Sequence, residues 1–313
     1  MPNFVAVVTG PTATGKTKLG VELAKALNGE VVGADSMQIY RGMDIGTAKP
    51  TEEEMQGIPH HMVGIIDPWE EYSVSRYVQE ASRCVDDILA RGKLPILVGG
   101  TGLYIESLLS GRDFAAAPGD TGVRERLGEE YDRLGGEEMR RRLGEFDPEA
   151  AAKLHANDKK RIVRAMEVWE LTGKTITRHD AETKALPPRY PSRRIALTFE
   201  NREDLYARID RRVDLMYEAG LSDEVTRLLA MGLKKGSTAM QAIGYKEVLR
   251  AMENGGRPED AREDICRESR RYAKRQLSWL GRDPELKWIR WAAQPDFPEG
   301  LRISTAFLQD TGI

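Results

Sequence analysis

Near its start the chain runs from Phe4-Val-Ala-Val-Val-Thr9 directly into Gly10-Pro-Thr-Ala-Thr-Gly15-Lys16-Thr17, and the architecture follows from these two segments. The first is apolar and rich in β-branched residues, which predicts a strand buried on both faces of a parallel sheet. The second fits the phosphate-loop pattern G-x-x-x-x-G-K-S/T, and leucines at helical spacing follow it. A strand, a glycine-rich loop and a helix in this order predict an α/β core with a phosphate site at the tip of the first strand.

Each residue type in this loop suits a bound phosphate group. Glycines let the backbone N–H groups converge on phosphate oxygens, and the N-terminus of the following helix adds positive potential. Lys16 brings a positive charge, and the Thr17 hydroxyl offers an oxygen ligand for Mg²⁺. An ordinary glycine turn is the alternative. The residues predicted to bind the phosphates are Gly10, Thr12, Ala13, Thr14, Gly15, Lys16 and Thr17.

The rest of the chain first alternates strands with helices and then departs from that pattern. Further strands are predicted at residues 30–34, 94–98 and 195–199, and around Trp288. Such alternation is typical of a doubly wound parallel sheet flanked by helices. From residue 119 to residue 194, before the strand that begins at 195, the predicted segments are helical and highly charged. We therefore predict a phosphate-loop α/β core formed by residues 1–118 and 195–313, with an all-helical insertion at 119–194.

Composition limits the classes of function. Hydrophobic residues make up 40% and charged residues 31%, which is enough apolar material for a core. The 47 basic and 50 acidic residues give a net charge of −3, so any surface for nucleic acid must be local. Such an excess lies in residues 153–194, with 11 basic against 5 acidic side chains. The two cysteines exclude a disulfide scaffold, and no apolar run has the length of a membrane span.

Two polar residues that follow neighbouring strands complete a predicted crevice. Asp35 ends the second strand, and Thr101 lies in the turn Gly99-Gly-Thr-Gly102 after the third. Because ligands of such sheets bind outside the carboxyl ends of the strands, we expect Asp35, Thr101 and Lys16 to face one crevice. Asp35 as a turn cap and Thr101 as a turn residue without a ligand are the alternatives.

Beyond the phosphate loop, the chain contains further distinctive blocks. They are Asp35-Ser-Met-Gln-Ile-Tyr40, Asp44-Ile-Gly-Thr-Ala-Lys49, Pro59-His-His61, Asp67-Pro68, Gly99-Gly-Thr-Gly-Leu-Tyr104, Asn157-Asp-Lys-Lys-Arg-Ile-Val-Arg-Ala165, Gly244-Tyr245 and Ala273-Lys-Arg-Gln-Leu-Ser-Trp279. Together with the loop, these blocks resemble the tRNA dimethylallyltransferase family over nearly the whole chain. The departures are small, with Thr14 where serine is common in the family and Ala156 where proline is common.

The resemblance implies transfer of a dimethylallyl group from its diphosphate to the N6 amine of the adenosine immediately 3′ of the anticodon, with release of diphosphate. The exocyclic amine of adenine is a poor nucleophile, so a carboxylate that orients it and takes its proton is useful, and Asp35 is the candidate. The phosphate loop, Mg²⁺ as cofactor and an added donor, Thr101, would stabilise the leaving diphosphate. The predicted catalytic residues are Asp35, Thr101 and Lys16.

Several basic residues are candidates for binding the two substrates. Arg208 and Arg212 lie one helical turn apart and are assigned to the diphosphate, with an exposed ion-pair face as an equal alternative. In the family the block that begins at Asn157 meets tRNA, whereas a solvated basic helix is the alternative. Residues 267–282 carry 6 basic side chains against 1 acidic, which is typical of a stripe that follows phosphates. The predicted tRNA-binding residues are Asp35, Ser36, Met37, Gln38, Thr101, Arg124, Lys159, Lys160, Arg161, Arg164, Arg271, Lys274 and Arg275.

Three other functions stay open at this point. A nucleotide or small-molecule kinase shares the loop, but it would need a Mg²⁺-holding acid that the third strand lacks. Asp35 and Thr101 argue against a non-catalytic RNA-binding protein. The basic insertion argues against an isopentenyltransferase for free adenine nucleotides, because these offer no extended backbone. The expected partners are dimethylallyl diphosphate and the tRNA anticodon stem-loop, with no membrane partner, for a cytoplasmic monomer whose first strand leaves no room for a targeting segment.

Overall fold

The computed structural model describes residues 3–111 and 122–310, and the chain divides into two compact units. The first unit comprises Met1–Leu109 and Tyr190–Ile313, and the second comprises Ser110–Arg189. The predicted junction at residues 118 and 119 lies outside the described residues. At the other junction the next strand begins at Ser192 rather than at residue 195.

A parallel sheet forms the centre of the first unit. In the described part of the chain it has six strands in the order β3-β2-β4-β1-β5-β6, and each neighbouring pair is parallel. The predicted α/β class with a parallel sheet is thereby confirmed. The strands are β1 (Val5–Thr9), β2 (Gly29–Gly33), β3 (His60–His61), β4 (Leu94–Val98), β5 (Ser192–Phe199) and β6 (Lys287–Trp291).

Helices connect these strands and make up the second unit. Those before the insertion are α1 (Lys16–Ala26), α2 (Glu52–Met55), α3 (Val74–Ala90) and α4 (Gly102–Leu109). Those of the second unit are α5 (Val123–Leu134), α6 (Gly136–Phe146), α7 (Pro148–Lys153), α8 (Lys159–Thr172) and α9 (Ile176–Lys184). The remaining helices are α10 (Arg202–Glu218), α11 (Leu221–Ala230), α12 (Tyr245–Glu253), α13 (Arg262–Leu280) and α14 (Phe297–Gln309).

Local sequence explains where the helices that matter for function begin and end. The helix α3 begins after Ser73, whose hydroxyl accepts a hydrogen bond from the backbone N–H of Arg76. Asp158 caps α8 in the same way, and Gly173, at a φ of 67°, ends that helix. The basic block is therefore helical from Lys159 onward, as its Asn-Asp start predicts.

Each unit has its own hydrophobic core. Val8, Leu19, Ile96 and Leu197 belong to the core on the sheet of the first unit. A second core in that unit packs the chain after β2 against α10 to α13. In the second unit the buried core consists of Leu127, Met139, Leu143, Ala150, Ile162, Val163, Ala165 and Met166. Since its apolar residues pack among themselves, the second unit has the internal core expected of a domain.

Candidate active site

The phosphate loop joins β1 to α1 in a conformation that only glycine tolerates at its two ends. Gly10 has a φ of 140°, and a Cβ there would lie 2.4 Å from the carbonyl oxygen of Leu197. Gly15 has a φ of 88° and immediately precedes α1. The indole N–H of the buried Trp291 donates to the carbonyl of Thr14 at 3.0 Å, so β6 supports the loop from below. The loop is therefore held in shape by its neighbours.

Two arginines of α10 reach this loop. Arg208 Nε donates to the carbonyl of Ala13 at 3.2 Å, and an Arg212 Nη donates to the hydroxyl of Thr12 at 2.8 Å. Within residues 3–111 and 122–310 neither guanidinium pairs with a carboxylate. The structure thus brings both to the loop instead of placing them on an exposed ion-pair face.

Lys16 lies near Arg212, and the nearby carboxylate of Asp35 does not offset the positive charge of the two side chains. Its Nζ donates to the carbonyl of Pro11 at 2.8 Å. Burial, and next the positive charge of Arg212, lower the pKa of Lys16 to about 7, although the carboxylate of Asp35 acts in the opposite direction. Burial also lowers the pKa of Arg212. A site with this imbalance favours an anionic ligand.

Asp35 stands beside the loop with one carboxylate oxygen engaged. Its Oδ1 accepts hydrogen bonds from the backbone N–H groups of Met37 at 2.9 Å and Gln38 at 3.3 Å. These are the bonds of a turn cap, and they use one oxygen only. In the described residues the other oxygen accepts no hydrogen bond, so the side chain is oriented by the turn and keeps an acceptor for a ligand.

Thr101 lies next to the Asp35 turn. Its Oγ1 accepts a hydrogen bond from the backbone N–H of Ser36 at 3.1 Å, and its backbone N–H donates to the carbonyl of Ala34. The turn approaches β2 so closely that a Cβ on Gly99 would lie 2.2 Å from that carbonyl oxygen. The predicted meeting of Asp35, Thr101 and Lys16 at one edge of the sheet is therefore what the structure has.

Gln276 of α13 is a site residue to which the sequence assigned no role. Its Oε1 accepts from the backbone N–H of Thr12 at 3.2 Å, and its Nε2 donates to the carbonyl of Gly100 at 2.9 Å. The backbone N–H of Thr12 is thus engaged by Gln276, whereas its hydroxyl accepts from Arg212 and keeps its own proton to donate. A buried amide on the same helical face as Ala273 and Leu280 was the available signal.

The segment after Asp35 is fixed by buried polar contacts that the sequence did not reveal. Gln38 Nε2 donates to the carbonyls of Thr47 at 3.1 Å and Ala48 at 2.9 Å. The carboxylate of Glu224, which is 4% exposed, accepts from consecutive backbone N–H groups of this loop and from the hydroxyl of Tyr245. The loop N–H donors are those of Asp44, Ile45 and Gly46.

In the second unit the predicted tRNA-binding residues differ in their surroundings. Arg124 and Arg164 both bind the carboxylate of the buried Glu167, at 2.8 Å and 2.7 Å. Lys159 pairs with Asp132 at 2.6 Å. Lys160 and Arg161 are exposed, and Arg161 lies 3.5 Å from Asp158. Arg124 and Arg164 therefore stabilise the unit whether or not they contact RNA.

Most basic side chains of the stripe on α13 are exposed, and they differ in their ion-pair partners. Arg271 pairs with Glu268 at 2.7 Å. The guanidinium of Arg275 lies 5.6 Å from the ring centre of Tyr272. Lys274 is exposed and makes no ion pair within the described ranges. Lys274, Arg275 and Arg282 are thus the residues of this stripe without an acidic partner in the described ranges.

A Mg²⁺ ion bound to phosphates fits the residues present. Thr17 is half-buried at the start of α1, and its hydroxyl makes no hydrogen bond within the described residues. No cluster of three or more His, Cys, Asp or Glu side chains there could hold a metal ion by itself. One hydroxyl suits Mg²⁺, which keeps several waters and takes its other ligands from substrate phosphates.

A phosphate loop with Lys16, Arg208 and Arg212 around it, a carboxylate after β2 and a hydroxyl after β4 defines a P-loop protein that binds a phosphorylated substrate. Comparison with known families narrows this class. The model of the IPP transferase family matches residues 38–283, and the model of the isopentenyl transferase family matches residues 3–63. The chain therefore belongs to the IPP transferase family, and it is a transferase enzyme that modifies tRNA.

Individual relatives agree with this family. The chain is 47% identical to the tRNA dimethylallyltransferase of Acetivibrio thermocellus over 91% of each chain, and 48% identical to that of Caldanaerobacter subterraneus over 91% of each. The crystal structure of a tRNA isopentenylpyrophosphate transferase from Bacillus halodurans has 39% identity and a TM-score of 0.73, covering 99% of this chain and 98% of that one. A eukaryotic dimethylallyltransferase acting on tRNA has 31% identity and a TM-score of 0.83, covering 99% of this chain and 80% of its own. No helix of the described residues could cross a membrane.

Proposed function

We propose that this tRNA dimethylallyltransferase uses Asp35 to activate the N6 amine of the adenosine 3′ of the anticodon, while the phosphate loop holds dimethylallyl diphosphate. The observation that carries the proposal is a carboxylate with one unengaged oxygen beside a loop surrounded by cations. In the reaction the nitrogen attacks the allylic carbon, the carbon–oxygen bond to diphosphate breaks, and the proton of the amine passes to Asp35.

The leaving group takes up the negative charge that this site is built to receive. Lys16, Arg208 and Arg212 lie at the loop, and the N-terminus of α1 points to the same place. Mg²⁺ held by Thr17 would add further charge neutralisation on the diphosphate. The Thr101 hydroxyl lies 3.5 Å from that of Ser36 and also hydrogen-bonds with Tyr272, and it would turn to the diphosphate as one more donor.

The same unit of one chain contributes all these groups, so we propose that the enzyme acts as a monomer. Its place of action would be the cytoplasm, where its tRNA substrate is found. The predicted core of residues 1–118 and 195–313 would hold the chemistry, and the insertion at 119–194 would bind tRNA. Gln38 would face the RNA with its Oε1 only, because its Nε2 is bound to carbonyls of the following loop.

One assay separates this function from its alternatives. Labelled dimethylallyl diphosphate is offered with tRNA, with AMP, or with a tRNA whose adenosine 3′ of the anticodon is replaced by guanosine. We expect label only in the tRNA that keeps adenosine 3′ of the anticodon. Label in AMP would support an enzyme for free nucleotides, and ATP turnover without an allylic diphosphate would support a kinase.

Reversing the charges of Lys160 and Arg161 should weaken tRNA binding. Both are exposed in the insertion, and neither binds the buried Glu167. If each contacts one phosphate, Lys160→Glu with Arg161→Glu should reduce the slope of log affinity against log salt by about 2. Filter binding over a salt series measures this slope. Arg133→Glu with Arg178→Glu makes the same charge change on exposed positions of the insertion, and an equal loss there would contradict a specific contact.

Diphosphate binding should draw a proton onto Lys16 above pH 7. The pKa of Lys16 is about 7 in the protein, and a bound anion raises that pKa because it favours the charged form. The affinity should therefore fall as pH rises above 7, by up to about tenfold per pH unit from this group. Calorimetry at pH 8 in two buffers of different ionisation enthalpy measures the proton uptake. Lys16→Met provides the baseline for the ionisation of diphosphate itself, and equal uptake by both proteins would refute the assignment.

A further inference from the structure

Gln276 joins the two loops that carry the candidate catalytic groups. Its amide accepts from the backbone of the phosphate loop at Thr12 and donates to the turn that contains Thr101, at Gly100. The residue is 8% exposed, so water competes little for either bond. No other side chain in the described residues forms hydrogen bonds to both loops.

The contact with the turn is steric as well as polar. A Cβ placed on Gly100 would lie 2.3 Å from Gln276 Nε2, so the amide packs directly against bare backbone. On the opposite side of the turn, Gly99 packs against the carbonyl of Ala34 on the chain leaving β2. The turn therefore lies between α13 and β2 with little room to shift.

Gln276 belongs to α13, and the buried face of this helix is packed. Ala273, Gln276 and Leu280 share the buried face of α13. One turn beyond Gln276, Leu280 packs against Ala196 of β5 and Leu286. Thr12, the partner in the phosphate loop, also receives the guanidinium of Arg212. The position of Gln276 thus affects both the Thr12 contact with Arg212 and the turn that contains Thr101.

We propose that Gln276 is a positioning residue that fixes the distance between the phosphate loop and Thr101. Through Gly100 it holds the Thr101 hydroxyl where the leaving diphosphate develops charge, and through Thr12 it holds the loop that binds this group. Good alignment of reacting groups is worth a large factor in rate, and small displacements lose much of it. The inference rests on the proposed roles of the loop and of Thr101.

The first test is the variant Gln276→Met, which keeps the length of the side chain and removes both hydrogen bonds. With both substrates saturating, single-turnover transfer should fall on the order of 10- to 100-fold, while tRNA affinity stays nearly unchanged. Leu280→Ala is the matched control, because it destabilises the same buried face of α13 without touching either loop. A similar loss of rate in Leu280→Ala would overturn the proposal.

A double-mutant cycle then tests the route through Thr101. In a Thr101→Ala background, Gln276→Met should cost only a few-fold more, since the group that it positions is gone. If Gln276→Met lowered the transfer rate by the same factor in the wild type and in the Thr101→Ala background, the inference would be overturned. So would an unchanged rate in Thr101→Ala alone, which would also remove the proposed role of Thr101, whereas transfer to tRNA by the wild type would still uphold the function.

A second variant keeps the test valid if Gln276→Met does not fold. Gln276→Glu preserves the shape and the acceptor for the Thr12 N–H, but it loses the donor to Gly100. The transfer rate should fall in this variant also, again with a smaller loss in the Thr101→Ala background. A normal rate in Gln276→Glu would show that the bond to Gly100 has no positioning role.

Discussion

Asp35→Asn should slow dimethylallyl transfer on the order of 10²- to 10⁴-fold, with the fold and tRNA binding retained. The amide oxygen of asparagine can still accept the N–H groups of Met37 and Gln38, so the turn should survive. What is lost is the second carboxylate oxygen, which can orient the amine and accept its proton. Single-turnover transfer with saturating substrates measures the chemical step.

The control for this variant removes a carboxylate elsewhere in the same unit. Asp67 is half-buried and pairs with Arg41 at 3.1 Å, outside the group of residues around the loop. Asp67→Asn should transfer at nearly the wild-type rate. Near-normal turnover in Asp35→Asn would show that this carboxylate is a turn cap and nothing more.

Lys16→Ala should reduce kcat/KM for dimethylallyl diphosphate on the order of 10²- to 10³-fold, the usual cost of removing one donor to developing negative charge. Most of the loss should appear in diphosphate affinity and in kcat, because the charge on the leaving group grows in the transition state. The KM for tRNA should change little, since we assign Lys16 to the diphosphate and not to the base.

The matched control for this prediction is a lysine on the same helix. Lys25 lies in the last turn of α1, where it is exposed. Lys25→Ala should leave both substrates' kinetic constants close to those of the wild type. If Lys16→Ala instead lost tRNA affinity in a filter assay while binding diphosphate normally, the loop would not be the diphosphate site.

Local patterns were sufficient for the centre of the fold. The strand, loop and helix from Val5 to Ala26 follow one another in sequence, so apolar runs and glycines reveal them directly. The strand β3 has two residues, too few to show a period. The start of β5 is hidden because Arg193 and Arg194 occupy it, each held by a hydrogen bond to a distant residue, Phe307 and Glu106.

Some residues of the candidate site could likewise be predicted from local sequence, and others could not. Asp35 and Thr101 follow strand ends, and the topology of a parallel sheet brings such ends together. Arg208 and Arg212 were visible as a helical pair, but the choice between ligand and ion pair depended on where α10 packs. Gln276 contacts residues 264 and 176 positions away in the chain, and no local pattern encodes such a pairing.

The strand order has a consequence for how the enzyme is made in the cell. The central strand β1 pairs on one side with β4, which precedes the insertion, and on the other with β5, which follows it. During synthesis at about 5–20 residues per second, one edge of β1 stays unpaired until the whole insertion has been translated. An unpaired apolar edge is prone to wrong association, so this interval is a time of risk for the nascent chain.

Because of the same order, a chain that ends within the insertion contains the phosphate loop but not the residues of α10 and α13 that contact it. Arg208, Arg212 and Gln276 all emerge from the ribosome after the insertion. A truncated product would therefore lack the cations that we assign to the diphosphate and the amide that joins the two loops. Such fragments should not compete with the finished enzyme for its allylic substrate, and the candidate site is complete only once β6 has also been translated, because Trp291 holds the phosphate loop.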